Sequence, residues 1–282
     1  MSDLRNLLQF LNPSDARRAL ENPSKALRVV KNSLNATPNK EQLDSQRAAS
    51  ERRRELARLF NCEESKIDSY YSEIMRSPIP NRLAEVENEF ANKSYSPGGM
   101  DFNGETAYII SRLLDPSTVL EVGVANGMST FYLLTALDQT SVDNSVVYGI
   151  DRPQFENQIR ERRGKIALKN AGGYIPDEKE VGWIAPKSLR MRHNYQIQIG
   201  DFTKILEPVL EEIDGLDFGI YDASKDPSEM RYAYNKIIDS LVPGGVLLSD
   251  DILHTDVFQE VSATREGKYA TFYNCGIFRK QN

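Results

Sequence analysis

From Gly99 onward, short apolar runs alternate with segments of helical periodicity. The apolar runs are bounded by polar or glycine residues and predict buried strands at 118–123, 146–150, 196–200, 216–222 and 246–249. Strands that alternate with helices are typical of a parallel sheet covered on both faces. Two further runs, 269–273 and 276–278, flank Asn274-Cys275 and predict a hairpin. We therefore predict an α/β fold with a mostly parallel seven-stranded sheet that ends in a C-terminal antiparallel hairpin.

The first third of the chain has a different pattern. Residues 1–98 show helical periodicity and no cluster of catalytic side chains, and Pro13 and Pro23 stand where helices begin, since proline lacks the N–H that a first turn leaves unpaired. Few large apolar residues are available for a separate core. We predict an N-terminal helical extension at 1–98 that serves as a lid or a homodimer interface, and a main domain at 99–282.

An insert at about 154–194 joins the second and third predicted strands and is longer than a simple crossover needs. It begins with a charged helical pattern and later contains Trp183, the only tryptophan of the chain. Two interpretations remain open from the sequence. The segment is either a lid or substrate wall, or a surface flap that Trp183 anchors to the core.

Composition narrows the class of protein. The 282 residues are 40% hydrophobic and 27% charged, and they contain no apolar run of about 18 residues, so we expect no transmembrane segment. The N-terminus lacks a secretory pattern, and Cys62 and Cys275 lie too far apart in sequence to suggest a disulfide framework or a zinc site. A cytoplasmic location fits best. The net charge of −6 argues against a nucleic-acid partner.

One strand–turn–helix stretch carries most of the chemical information. An apolar strand contains Glu121, turns through Gly123 and Gly127, and continues into a helix at Ser129. Glycine permits a sharp turn or a close approach by a ligand, and the following helix offers free N–H groups. A dinucleotide fingerprint needs glycine at two later positions that hold other residues here. A carboxylate at this place suits a ligand with an ammonium group, although a purely structural turn is the alternative.

Acidic residues follow the other predicted strands of the parallel sheet. Asp151 follows the second strand, Asp201 the third, Asp222 the fourth, and Asp250-Asp251 the fifth. The carboxyl ends of such strands line the ligand crevice of an open α/β sheet. Asp151 is placed to accept hydrogen bonds from ribose hydroxyls, or else to cap a helix. Asp222, Asp250 and Asp251 are expected at the ends of neighbouring strands, where three carboxylates would raise one another's pKa unless a cation lay between them.

The pattern Glu-x-Gly-x-x-x-Gly-x-Ser, the acid at each strand end and the turn 242–246 resemble class I S-adenosylmethionine-dependent methyltransferases over about residues 99–279. The closer similarity is to the small-molecule O-methyltransferase branch, with its catechol-type and methyltransferase-24-like enzymes. The resemblance implies a Rossmann-like fold, S-adenosyl-L-methionine as cofactor, and methyl transfer to a hydroxyl of a sugar, phenol or natural-product intermediate. It does not cover the N-terminal extension.

The resemblance also assigns roles to residues. It places the cofactor on Glu121, Gly123, Gly127, Ser129, Asp151, Asp201 and Asp222, with Asp201 at the adenine amino group. In metal-dependent members, residues at the positions of Asp222, Asp250 and Asp251 hold a divalent cation. Hard oxygen ligands of this kind suit Mg²⁺ or a similar ion.

Two residues are candidates for the catalytic base. Lys225 lies three residues after Asp222, where catechol-type enzymes carry a lysine base, and the alternative is an exposed loop lysine. His254 lies three residues after Asp251, and the ordinary pKa of histidine suits proton transfer, although a lone loop histidine is often only polar surface. The acidic crevice favours a small-molecule hydroxyl acceptor. The alternative function is a non-catalytic or NAD-binding Rossmann-like module.

Overall fold

The computed structural model describes residues 40–90, 102–142, 144–155, 158, 161, 174–272 and 274–281. The chain divides into two compact units, one up to Glu85 and one from Val86 onward. The predicted boundary between residues 98 and 99 falls outside the described residues and stays a prediction. The same holds for the helix starts at Pro13 and Pro23 and for most of the charged segment predicted at 154–170.

The described part of the predicted N-terminal extension is helical. It comprises α1 (Lys40–Phe60), α2 (Glu64–Arg76) and α3 (Ile79–Phe90), and α3 continues across the boundary between the two units. Helix α1 ends just before Asn61, whose φ of 52° lies in the left-handed region that terminates helices. Helix α2 buries Ile67, Tyr70 and Ile74, which are three and four residues apart and so share one face. Across the described chain, every helix is too short or too polar to cross a membrane.

The second unit is built on one seven-stranded sheet, which confirms the predicted Rossmann-like fold. Its strands are β1 (Thr118–Val122), β2 (Val146–Asp151), β3 (Tyr195–Ile199), β4 (Leu216–Tyr221), β5 (Leu241–Ser249), β6 (Gly267–Phe272) and β7 (Cys275–Lys280). They lie in the order β3-β2-β1-β4-β5-β7-β6. The first five strands are parallel, and β7 pairs antiparallel with both β5 and β6.

Helices and one short 3₁₀ turn connect these strands. They are α4 (Phe102–Leu114), α5 (Met128–Leu137), α6 (Lys187–Arg192), α7 (Phe202–Glu212), α8 (Pro227–Ser240), the 3₁₀ turn Ile252–His254 and α9 (Val257–Ala263). Helix α5 is buried over nearly its whole surface, which explains why its residues are apolar on every side. Gly104 in α4 lets the two helices approach, because a Cβ at this position would lie 2.5 Å from the ring of Tyr132.

Among the seven strands, β5 differs most from its prediction. Strand β5 begins at Leu241 and not at Val246, so the Pro-Gly-Gly stretch belongs to the strand and is not a turn before it. The pairing with β4 shifts register between Leu216 and Phe218. Gly245 permits the irregularity, since a Cβ there would lie 2.9 Å from the carbonyl oxygen of Val242. Glycine within a strand often marks such an irregularity.

The order of the strands in the sheet determines where a ligand crevice can form. The chain runs outward from β1 to β3, then returns to the other side of β1 with β4 and β5. At this switch point the loops after β1 and β4 diverge and leave a crevice at the carboxyl ends of the strands. The opposite end of β1 is fixed by Asp217, whose Oδ2 accepts hydrogen bonds from the backbone N–H groups of Ser117 (2.8 Å) and Thr118 (2.9 Å).

Candidate active site

A cavity of ≈ 880 Å³ opens at the carboxyl ends of the parallel strands. Among the residues predicted from the sequence, its walls include Gly123, Ser129, Asp151, Asp201, Asp222, Asp250 and Asp251. The predicted residues Glu121, Gly127, Lys225 and His254 are not part of these walls. The acids that end successive strands therefore do face one space, as expected for strands that share a sheet edge.

The turn after β1 needs glycine at two places. Gly123 has a φ of 97°, and a Cβ there would lie 1.9 Å from the carbonyl oxygen of Asp222. Gly127 begins α5 with a φ of 83°, and its Cβ would lie 2.6 Å from the Cα of Gly182. Both positions combine a left-handed backbone with close contact to another backbone. A side chain at either one would distort the turn.

Glu121 lies beneath this turn and is fully buried. Its two carboxylate oxygens accept hydrogen bonds from the hydroxyls of Ser129 (2.5 Å) and Thr130 (2.6 Å) at the start of α5. Burial raises the pKa of Glu121 to about 7, the two hydrogen bonds oppose this, and the charges of Asp151 and Asp222 add to it. The structure thus gives Glu121 a part in joining β1 to α5. A direct contact with a cofactor stays a prediction.

Asp151 holds the turn from the side of β2. Its Oδ2 accepts hydrogen bonds from the backbone N–H groups of Val124 (2.7 Å) and Ala125. Burial raises the pKa of Asp151, the hydrogen bonds from Ala125 and Val124 lower it, and the charge of Asp222 raises it. The sequence left two roles open for Asp151, a ribose ligand or a helix cap. The observed contacts add a third, because Asp151 binds the N–H groups of the turn and also lines the cavity.

Asp201 lines the cavity where β3 leads into α7. It is the N-cap of that helix, with Oδ1 accepting hydrogen bonds from the N–H (3.1 Å) and the hydroxyl (2.7 Å) of Thr203. These bonds lower the pKa of Asp201. Arg152 Nη1 lies 3.9 Å from the other oxygen, Oδ2. Because the cap holds Oδ1, the Asp201 carboxylate has a fixed orientation at the cavity wall.

Asp222, Asp250 and Asp251 form the acid cluster. Each offers a carboxylate oxygen, and the three oxygens lie within 4.8 Å of one another. Burial raises the pKa of Asp250 to about 7, the charges of Asp222 and Asp251 add to the shift, and Lys225 opposes it. Three hard oxygen donors at this spacing fit Mg²⁺ or a similar divalent cation. The chemistry of the donor set therefore agrees with the predicted metal ligands.

Lys225 lies beside two members of the acid cluster. Its Nζ is 2.9 Å from Asp222 Oδ1 and 3.2 Å from Asp251 Oδ2. Burial lowers the pKa of Lys225, but the contacts with Asp222 and Asp251 outweigh this effect, so the pKa lies above its ordinary value. His254, the other predicted base, is exposed on the 3₁₀ turn after Asp251. The structure brings Lys225 to the cluster and leaves His254 outside the cavity walls.

Asn274 is a site residue that the sequence reasoning missed. It lies in the turn between β6 and β7, lines the cavity, and donates from Nδ2 to Asp251 Oδ1. Its Oδ1 accepts from the backbone N–H of Leu253 (3.2 Å). Asp251 has a φ of 56°, a left-handed backbone that these contacts stabilise. The available signal was the hairpin itself, because β7 pairs with β5 and brings its turn to the same sheet edge.

The described part of the insert contacts the glycine turn. Trp183 is only 8% exposed, and its Nε1 donates to Asn126 Oδ1 at 2.7 Å. Asn126 and Ile175 both line the cavity. The insert is therefore anchored at the cavity wall through its tryptophan, which combines features of both interpretations that the sequence left open.

Comparison with known proteins gives one match to a family. Residues 120–252 match a family described as a methyltransferase domain. The match begins in β1 and ends just after the acid cluster, so it includes the turn and every strand end that lines the cavity between β1 and β5. A search of curated proteins found no match.

Three solved structures illustrate the structural similarity. An O-methyltransferase from Bacillus cereus, in complex with SAH, is 16% identical over 72% of this chain and 91% of that chain, with a TM-score of 0.46. The O-methyltransferase TomG from Streptomyces achromogenes, in complex with SAM, is 17% identical over 72% and 89%, with a TM-score of 0.46. A methyltransferase from Geobacter sulfurreducens is 13% identical over 72% and 89%, with a TM-score of 0.47.

Proposed function

Residues 120–252 match a family described as a methyltransferase domain, and on this premise we propose that the protein transfers a methyl group from S-adenosyl-L-methionine to a hydroxyl of a small molecule. The acceptor class is a sugar, a phenol or a natural-product intermediate. The observation that supports the proposal is that one cavity is lined by two chemically different sets of residues. We call the glycine turn with Asp151 and Asp201 the first half of the lining, and the acid cluster with Asn274 the second half.

The first half suits the methyl donor. Gly123 lines the cavity, and its lack of a side chain lets the turn pass close to the Asp222 backbone. Asp151 uses Oδ2 for the turn, and we assign Oδ1 to the ribose hydroxyls. Asp201, with its Oδ1 occupied by Thr203, is assigned to the adenine amino group through Oδ2. Carboxylates are hydrogen-bond acceptors only, which matches hydroxyl and amino donors.

The second half suits the acceptor. Asp222, Asp250 and Asp251 would hold a divalent cation, which when bound would lower the pKa of the acceptor hydroxyl. Methyl transfer is an in-line displacement, so the main task of these residues is to hold the acceptor oxygen in line with the donor methyl group. Asn274 supports this task because its amide orients the Asp251 carboxylate.

Lys225 is the base that the geometry favours. Its Nζ lies at two members of the acid cluster, whereas His254 is exposed outside the cavity walls. In this role Lys225 accepts the proton of the acceptor hydroxyl at Nζ after its own ammonium proton has passed to solvent. The acceptor oxygen forms a bond to the methyl carbon as the bond between sulfur and that carbon breaks, the sulfur keeps the electron pair of the broken bond, and S-adenosylhomocysteine and the methyl ether are the products.

Two measurements on the full chain test the proposal. Calorimetric titration with S-adenosylhomocysteine should give saturable binding, and NAD should give none. Transfer of radiolabelled methyl from S-adenosyl-L-methionine is then assayed with catechols, sugars and other hydroxyl compounds, with Mg²⁺ or with EDTA. Binding of NAD without binding of S-adenosylhomocysteine would instead establish the alternative, an NAD-binding module.

A further inference from the structure

The turn between Gly123 and Gly127 is held on two sides by different parts of the chain. On one side, Asp151 binds the N–H groups of Val124 and Ala125. On the other side, the insert binds carbonyl groups: Gly182 N–H donates to the oxygen of Ala125 (2.9 Å), and Ile184 N–H donates to the oxygen of Asn126 (3.0 Å). These two N–H groups and two carbonyl groups of the turn are thus paired with protein.

Trp183 lies between these two backbone contacts and adds a third. Its indole Nε1 donates to Asn126 Oδ1 at 2.7 Å, while Asn126 Nδ2 donates to the carbonyl oxygen of Tyr174 at 3.1 Å. An indole only donates and a carbonyl only accepts, so the two partners together allow a single orientation of the Asn126 amide. Asn126 is 3% exposed, and leaving its amide oxygen unpaired would therefore be costly.

The tryptophan is itself held in place. The ring of Phe90 lies 5.7 Å from the Trp183 ring, centroid to centroid, and Lys179 Nζ lies 4.5 Å above the Trp183 ring. Lys179 in turn contacts Glu89 at 2.7 Å. These contacts limit the freedom of the indole, so its N–H points steadily at Asn126.

The backbone of the turn is strained, so the turn depends on these contacts to keep its conformation. Ala125 has a φ of 47°, a left-handed conformation that a residue with a Cβ adopts only when its surroundings require it. Trp183 does not line the cavity, whereas Ala125 and Asn126 do. An effect of Trp183 on a ligand would therefore pass through the turn.

We propose that Trp183 is a positioning residue for the cofactor, acting through Asn126 to hold the turn in the conformation that binds S-adenosyl-L-methionine. The proposal rests on the proposed function, since it takes that molecule as the ligand. It assigns the insert a part in cofactor affinity although Trp183 lies outside the cavity walls. The insert thereby becomes one of the elements on which methyl transfer depends.

The first test is Trp183→Phe in the full chain, which keeps an aromatic ring but removes the N–H. The affinity for S-adenosylhomocysteine, measured by calorimetry, should fall by about three- to ten-fold, the factor that one ordinary hydrogen bond contributes. Ser111→Ala is the matched control, because it removes one buried hydrogen bond, from Ser111 Oγ to the oxygen of Ala107 (2.7 Å), away from the turn. The control should bind as the unaltered chain does.

A second test needs no substitution. Trp183 is the single tryptophan, so its emission reports on the indole alone, and titration with S-adenosylhomocysteine should shift the emission in step with the calorimetric binding curve. Equal affinity in the unaltered chain and Trp183→Phe would overturn the proposal, as would an unchanged emission at saturation. If the unaltered chain binds no S-adenosylhomocysteine, the proposed function fails and this proposal fails with it.

Discussion

Lys225 Nζ lies 2.9 Å from Oδ1 of Asp222, the residue three positions earlier in the chain. The same ammonium is 3.2 Å from Asp251 Oδ2, so one lysine contacts two of the three carboxylates that fit a divalent cation. A positive charge at this place competes with a cation for the same oxygens. We therefore expect Lys225, the base that we propose, to affect metal affinity as well.

We predict that Lys225→Met increases affinity for Mn²⁺ in the absence of cofactor by about two- to five-fold, since partly exposed ion pairs of this kind contribute about 0.5–1 kcal/mol. Mn²⁺ binding is measured by electron paramagnetic resonance. Lys236→Met is the control, because Lys236 pairs with Glu207 on the surface. Mn²⁺ affinity that is the same in all three proteins would show that Lys225 and a cation do not share ligands.

Asp250→Asn should reduce turnover by far more than it reduces affinity for S-adenosylhomocysteine, because we assign the acid cluster to the acceptor and not to the cofactor. The comparison is kcat against the calorimetric Kd. Asp239→Asn, which removes the charge of an exposed partner of Arg265 (2.8 Å), is the control. Full turnover of the unaltered enzyme in excess EDTA would exclude a required cation.

Asp151→Ala should weaken binding of S-adenosylhomocysteine by about 1–3 kcal/mol, the range for a lost hydrogen bond to a charged group. Asp217→Ala is matched to it, since Asp217 also accepts hydrogen bonds from two backbone N–H groups, but at the opposite end of β1. Both substitutions should lower stability, and only the first should lower affinity. Equal affinities in the two variants would contradict the assignment of Asp151 to the cofactor.

Glu121 should make the stability of the chain depend on pH. Its pKa is about 7 in the folded protein and near the ordinary value of 4.5 when unfolded. The folded state therefore holds the proton more tightly, and stability falls as pH rises from about 4.5 to about 7, by on the order of 3 kcal/mol at most. Below this window the carboxyl group is protonated in both states, and above it the loss is complete.

Glu121→Gln should remove this part of the dependence. A glutamine can still accept from Ser129 and can donate to Thr130, so the contacts beneath the turn have a neutral replacement. Thermal unfolding of the cofactor-free chain at pH 5 and pH 8 should then show a smaller difference for the variant. Asp250, whose pKa is also about 7, leaves a residual slope in the same direction. An identical pH dependence in both chains would refute the prediction.

The sheet and the acid cluster were accessible from the sequence because both depend on local patterns. An apolar run followed by an acid predicts a strand end, and parallel strands bring their ends to one edge. Asp222, Asp250 and Asp251 are separated by up to 29 residues, yet topology alone predicted that they meet.

Other contacts have no local signature. Trp183 and Asn126 are 57 residues apart and meet only because the insert folds onto the turn. His193 is buried, with its Nδ1 2.8 Å from Ser145 Oγ and its Nε2 2.8 Å from Asp138 Oδ1. Contacts of this kind depend on the path of a long connection, for which periodicity gives no information.

The order of the last two strands makes the acid cluster depend on a strand that supplies none of its carboxylates. Strand β7 lies between β5 and β6 and pairs antiparallel with both, so β6 joins the sheet only through β7. Loss of β7 would leave β5 as an unpaired edge and release the turn that carries Asn274, the partner of Asp251.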